Sequence, residues 1–216
     1  MGLREDSPLA GRGRGDSGAR AATLESRHRP GGRWNPPRSR HMRPLSVLPV
    51  TTLALLWCVS LWLWPQLPEQ IPLHFDGEGT PDRFGARSLV NWFLLPGLGT
   101  LLVALFSFVL PPWIVALARR DSPYLNVPQR AELSKLSPEA RVRAVQPVGS
   151  MLMVIAAEVA LLFTLLQFGT ARVASGAWQK LPTTMAFGAV GVLVATTLVW
   201  LPLLNRGVRR ELERQG

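Results

Sequence analysis

Four uninterrupted apolar blocks decide what this chain can fold into. They run from about Leu45 to Trp64, Leu89 to Leu110, Val148 to Phe168 and Thr183 to Leu204. An apolar stretch of about 18 residues or more can cross a hydrocarbon core roughly 30 Å thick. A soluble helical domain would instead keep a polar face on each helix to meet water. None of the four does, and Glu158 is the only Asp, Glu, Lys or Arg within them. The expected fold is therefore an all-α, polytopic integral membrane protein with four transmembrane helices.

Charge placement orients such a chain, because short loops rich in Lys and Arg stay in the cytoplasm. Of the 24 basic residues, 20 lie in residues 1–43, in the loop 119–147 and after Leu204. The two intervening loops hold only Arg83, Arg87, Arg172 and Lys180. This asymmetry predicts both termini inside (N-in/C-in), with the loop between the first two spans outside. The same asymmetry accounts for the net charge of +10 without a nucleic-acid partner, and no recognition helix or RNA-binding motif interrupts the basic segments. The expected location is a bacterial cytoplasmic membrane, crossed several times, with the lipid bilayer as the first partner.

Five segments follow from these boundaries: a basic, disordered N-terminal tail (1–42), a two-span unit (43–118) with its outer loop at 66–87, a cytoplasmic loop (119–147), a second pair of spans (148–205) and a basic cytoplasmic tail (206–216). The first tail is rich in Arg, Gly, Pro and Ser and too poor in apolar groups to order itself. Met42 and Arg43 would make a compact positive start before the first span, which suggests initiation at Met42; a native peptide from residues 1–41 would disprove that. The first block lacks a small-residue cleavage site and reads as a retained anchor. The single cysteine, Cys58, excludes an intramolecular disulfide.

Within the spans, Pro96, Gly97 and Gly99, then Pro111 and Pro112, predict kinks. Tryptophans near the span ends suggest an interfacial belt, and Gly188, Gly191 and Ala195 offer a close helix contact. In the middle loop, Pro128 opens one short surface helix. Ser137 with Pro138 and Glu139 caps another, and Leu133, Leu136, Val142 and Val145 are expected at the headgroup layer. Glu158 is costly in lipid and is expected to face the bundle interior, protonated or hydrogen-bonded to a polar group such as Thr196, Thr197 or Ser107. It either relays a proton or pins two helices together.

The outer loop, "IPLHFDGEGTPDRFGARSLVNWF", carries the remaining chemistry. Asp76, Glu78, Thr80 and Asp82 alternate like the start of a calcium loop, but Pro81 stands where the turn glycine belongs and Arg87 where the bidentate Glu belongs. Zinc would require more ligands than His74 alone can supply. No metalloprotease helix, nucleophile elbow or phosphate loop is present. No metal, cofactor or enzymatic activity is therefore expected. The residues to watch are His74, Phe75, Asp76, Gly79, Pro81, Asp82, Arg83 and Gly85, in a turn-rich element where His74 or Asp82 holds Arg83 across the turn.

"LPEQIPLHFDGEGTPDRFG" resembles the signature of the DUF1648 domain membrane protein family, which includes SdpI-related proteins. The matching positions are Leu67, Pro68, Ile71, Pro72, His74, Phe75, Gly79, Pro81, Asp82, Arg83, Phe84 and Gly85. The likeness extends over roughly residues 45–112. It implies a multi-span membrane protein, with toxin immunity or signalling as one role of the family.

Two function classes remain. The first is non-enzymatic sensing or binding at the outer face, of an extracellular peptide for instance, with a cytoplasmic regulator as a second partner. The second is a small transporter or proton-coupled carrier using Glu158. Nothing in the sequence sets the oligomeric state.

Overall fold

The computed structural model describes residues 44–127 and 129–214. The expected disordered tail, and Pro128 as a helix start, lie outside those residues. Four helical rods long and apolar enough to cross a membrane make up most of the chain: Val47–Gln66, Leu89–Arg119, Pro138–Ala174 and Thr183–Glu213.

The first rod is α1 (Val47–Leu63), which tightens into a 3-10 turn at Trp64–Gln66 as Pro65 and Pro68 end the regular ladder. A hairpin follows, β1 (Gln70–Phe75) antiparallel to β2 (Pro81–Ala86). The second rod begins at α2 (Leu89–Ala104), capped by Ser88, whose Oγ accepts the Asn91 N–H at 3.1 Å. It then widens into a π-helical turn at Leu105–Val109, with the Leu110 N–H reaching back to the Leu105 carbonyl, and continues as α3 (Leu110–Arg119). The widening has a local cause. Pro111 and Pro112 cannot donate to the carbonyls of Ser107 and Phe108 and would collide with them in a regular helix; the extra residue of a π turn relieves the collision.

A short helix, α4 (Arg130–Ser134), precedes α5 (Pro138–Ala174) and α6 (Thr183–Glu213). Ser137 caps α5 as expected, accepting from the Ala140 N–H. The helix does not stop at the loop boundary, however, but runs through Pro147 for 37 residues. At 1.5 Å per residue that is about 55 Å, well beyond a bilayer core. The capped segment is thus the first two turns of a long helix and not a separate surface helix.

α5 is the centre of the bundle, packing against α1, α2, α3, α6 and β1. One end carries the hairpin and the α5–α6 loop, the other α4 and the terminal turns of α3, α5 and α6. At the latter end, the carboxylate of Asp121 pairs with Arg130 and, at 3.3 Å, with Arg141. Arg130 also donates to the carbonyls of Asp121 and Ser122. Thus tied, the 120–137 loop turns Leu125, Leu133 and Leu136 into a core with Val145, Leu204 and Val208. Leu133, Leu136 and Val145 therefore do not reach a headgroup layer, because protein rather than lipid covers them.

Large apolar side chains lie outside the bundle, among them Val90, Leu94, Phe108, Phe187 and Val199. On a protein in water such a surface would be an association site; around membrane-length helices it fits lipid. Of the tryptophans expected in an interfacial belt, Trp62 and Trp113 are exposed, whereas Trp92 is buried with its indole N–H on the Ser60 carbonyl at 2.9 Å. A Cβ at Gly188 or Gly191 would meet nothing within 4 Å, so among the described residues neither forms the expected close helix contact. One close approach is at Gly99, where a Cβ would sit 2.8 Å from Leu56 and 3.1 Å from Phe163.

Candidate functional site

An isolated two-stranded hairpin is marginal in water, so this one must be held from outside itself. Leu67 and Ile71 do so from below, buried with Leu63, Trp92 and Ala171. Arg87 closes the base: its Nη1 donates to the Leu67 carbonyl at 2.7 Å, its backbone N–H to that of Glu69 at 2.7 Å, and its guanidinium lies 5.4 Å from the centre of the Trp64 ring. Asn91 adds a bond from Nδ2 to the Ala86 carbonyl at 2.9 Å.

The tip is built by Asp76. One carboxylate oxygen accepts the N–H groups of Glu78 and Thr80 at 2.9 and 2.8 Å, while the Asp76 carbonyl accepts that of Gly79 at 3.0 Å. Asp76 thus organises the turn, as Asp side chains commonly do. Gly79 has φ +83° and passes its carbonyl to the Leu181 N–H at 2.8 Å, which ties the α5–α6 loop onto the tip. A Cβ at Gly79 would overlap the Leu181 carbonyl oxygen. The glycine is therefore required twice, by backbone conformation and by contact.

Two register shifts set the side chains between. Leu73 is bulged out of β1 and Asp82 out of β2, leaving His74 opposite Arg83 and Phe75 opposite Pro81. His74 Nδ1 lies 2.6 Å from Asp82 Oδ1, both side chains about half exposed at 58% and 47%. The expected partner was Arg83, but the bulge turns Asp82 toward His74. Among the described residues the Arg83 side chain makes no hydrogen bond or ion pair. It lines a cleft of about 340 Å³ between the hairpin, α2, α5 and Leu181, with walls from Ile71, Leu73, Phe75, Leu95 and Leu166. Gly85 lies against the Leu73 side chain, where a Cβ would overlap Leu73 Cδ1.

Gln167, at the floor of that cleft, is a residue that sequence reasoning missed. In a regular helix the Trp92 carbonyl would accept from residue 96, but Pro96 has no N–H. Gln167 Nε2 reaches across from α5 and donates to that carbonyl at 2.9 Å. The signal was available: a proline in one apolar block and an unexplained glutamine in another.

Glu158 lies apart from the hairpin, between α5 and α6. Thr196 Oγ1 donates to its Oε1 at 2.6 Å, while Oε2 is buried without a partner among the described residues. Thr197 bonds the Leu193 carbonyl instead, and Ser107 Oγ is also buried and unpartnered.

The family model for a domain of unknown function, DUF1648, matches residues 51–100, which span most of α1, the hairpin and the first part of α2. An uncharacterized protein of Archaeoglobus fulgidus is 33% identical over 81 residues, covering 38% of this chain and 43% of that protein. The chain thus spans less than half the length of the relative it matches. No solved structure matches the chain. The family match falls on the hairpin unit, whereas Glu158 lies outside it.

Proposed function

We propose that this is a multi-pass protein of a bacterial cell membrane, with both ends cytoplasmic, that binds a ligand at its outer face without catalysing a reaction. The bound group is an apolar peptide segment ending in a carboxylate, seated in the cleft beneath the hairpin. One observation carries the reading: Arg83, a cation without a partner among the described residues, lines a cleft whose walls are otherwise largely apolar. Pockets that hold small ligands combine apolar walls with a few placed polar groups. The family match over 51–100 supports placing the site here, since it covers all the hairpin contributions. Immunity or signalling of the SdpI-related kind would then follow if binding is relayed to a cytoplasmic regulator. The 120–137 loop, with Tyr124 83% exposed, is the surface such a partner would use.

Photo-crosslinking of synthetic apolar peptides to the protein in lipid nanodiscs tests this. Capture is expected with a free peptide C-terminus and lost with an amidated C-terminus or with Arg83→Gln. Equal capture in all three cases would refute the site.

A second reading rests on Glu158, whose buried, unpartnered Oε2 is the arrangement a proton-coupled carrier would use. Proton flux in liposomes that disappears with Glu158→Gln would establish it in place of the first.

A further inference from the structure

At the end of the bundle opposite the hairpin, α5 and α6 converge. Gly207 makes this approach feasible: a Cβ there would sit 3.0 Å from the Ala144 carbonyl oxygen and 3.8 Å from Pro147. Beside this contact the helices enclose a cleft of about 410 Å³. Its apolar side is Trp200 and Leu203, and its charged side is Arg143, Arg210, Arg214 and Glu211.

The charges are unequal. Glu211 is buried, its side chain 5% exposed, and receives Arg143 Nε and Nη2 on Oε2, both at 2.9 Å, and Arg214 Nη1 on Oε1 at 2.6 Å. Neutralising one carboxylate requires one cation; two arginines bond this one, and a third, Arg210, lines the same cleft. The side chains of Arg143 and Arg214 remain 49% and 66% exposed, so each guanidinium keeps N–H groups free to face the cleft. Arg210 is exposed, and its side chain makes no hydrogen bond or ion pair among the described residues. The single carboxylate therefore fixes two guanidiniums in place while leaving the cleft with an excess of two positive charges. Holding donors in position before binding lowers the entropy lost when a ligand arrives.

We propose that this cleft binds the phosphate of an anionic membrane phospholipid. Guanidinium groups match phosphate oxygens in geometry and charge, and basic pockets between membrane helices are suited to anionic headgroups. The apolar side favours lipid over free phosphate. Along α6, one and three turns before Leu203, the same side of the helix carries the exposed Val199 and Val192, and the cleft lies where the fourth apolar block ends at Leu204 and the arginines begin. A lipid seated here would place its headgroup among the arginines and its glycerol and first methylenes along Trp200 and Leu203.

The test is native mass spectrometry of the full chain, delipidated in a neutral detergent and titrated with palmitoyl-oleoyl phosphatidylglycerol or palmitoyl-oleoyl phosphatidylcholine. Glycerol 3-phosphate serves as a soluble competitor. Phosphatidylglycerol should be retained in preference to phosphatidylcholine, and Arg210→Gln should weaken its retention about fivefold, the effect of one surface arginine on an anionic lipid. Arg120→Gln, outside the cleft, should leave retention unchanged. Arg210 is exposed, so its loss does not threaten folding. Equal retention of the two lipids, no effect of Arg210→Gln, or an equal effect of Arg120→Gln would overturn the site. Displacement of phosphatidylglycerol by equimolar glycerol 3-phosphate would overturn its assignment to lipid.

Discussion

Replacing Gly79 with alanine should detach the α5–α6 loop from the hairpin while leaving the four helices intact. Two effects add. Alanine in the left-handed region costs about 1–2 kcal/mol, and Gly79 sits there with φ +83°. The new Cβ would also overlap the Leu181 carbonyl oxygen, so the neighbouring bond from the Leu181 N–H to the Gly79 carbonyl must break. That loss is worth about 1 kcal/mol. Together they favour the detached loop by about 2–3 kcal/mol, or about 30- to 150-fold. Hydrogen exchange of the Leu181 amide in detergent micelles reads this directly, and its protection should fall by that factor. Gly77→Ala is the control, because no atom approaches a Cβ there, and it should leave Leu181 unchanged. Wild-type protection in Gly79→Ala, or an equal fall in Gly77→Ala, would refute the tether.

Gln167→Leu should destabilise the bundle toward the upper end of the range for membrane hydrogen bonds, about 1.5 kcal/mol, since it leaves the Trp92 carbonyl with no donor. Pro96→Ala supplies a backbone N–H to the same carbonyl, so in the double variant the loss should largely vanish; purely additive effects in unfolding titrations would disprove the compensation. Asp82→Asn should change stability by less than about 1 kcal/mol, because the pair with His74 is exposed. A larger drop in the thermal midpoint would mean the pair holds the hairpin together.

The four long apolar helices were legible because the length and composition that suit a bilayer are displayed directly by local sequence. The Ser137 and Asp76 turns were legible for a similar reason: each acts within a few residues of itself. What escaped depended on partners distant in the chain. The leucines of the 120–137 loop pattern like a surface helix, and only the pairing of Asp121 with Arg130 and Arg141 turns them inward. Trp92 resembles a belt residue until Ser60 is seen beneath it. Of the three partners expected for Glu158, Thr196 bonds it, whereas Thr197 bonds the Leu193 carbonyl. Arg83 was expected to be held across the turn, but bulges at Leu73 and Asp82 reassign the pairing. A bulge shifts every neighbour by one position, and alternation alone does not reveal it.

The most direct test of the account is which side of the membrane the hairpin faces. With Cys58 replaced by alanine, single cysteines at Thr80, on the hairpin tip, and at Ser134, in the loop at the opposite end, can be probed in intact cells with a membrane-impermeant maleimide. The account predicts labelling at position 80 in intact cells and at position 134 only after permeabilisation. Labelling of position 134 but not position 80 in intact cells would contradict it.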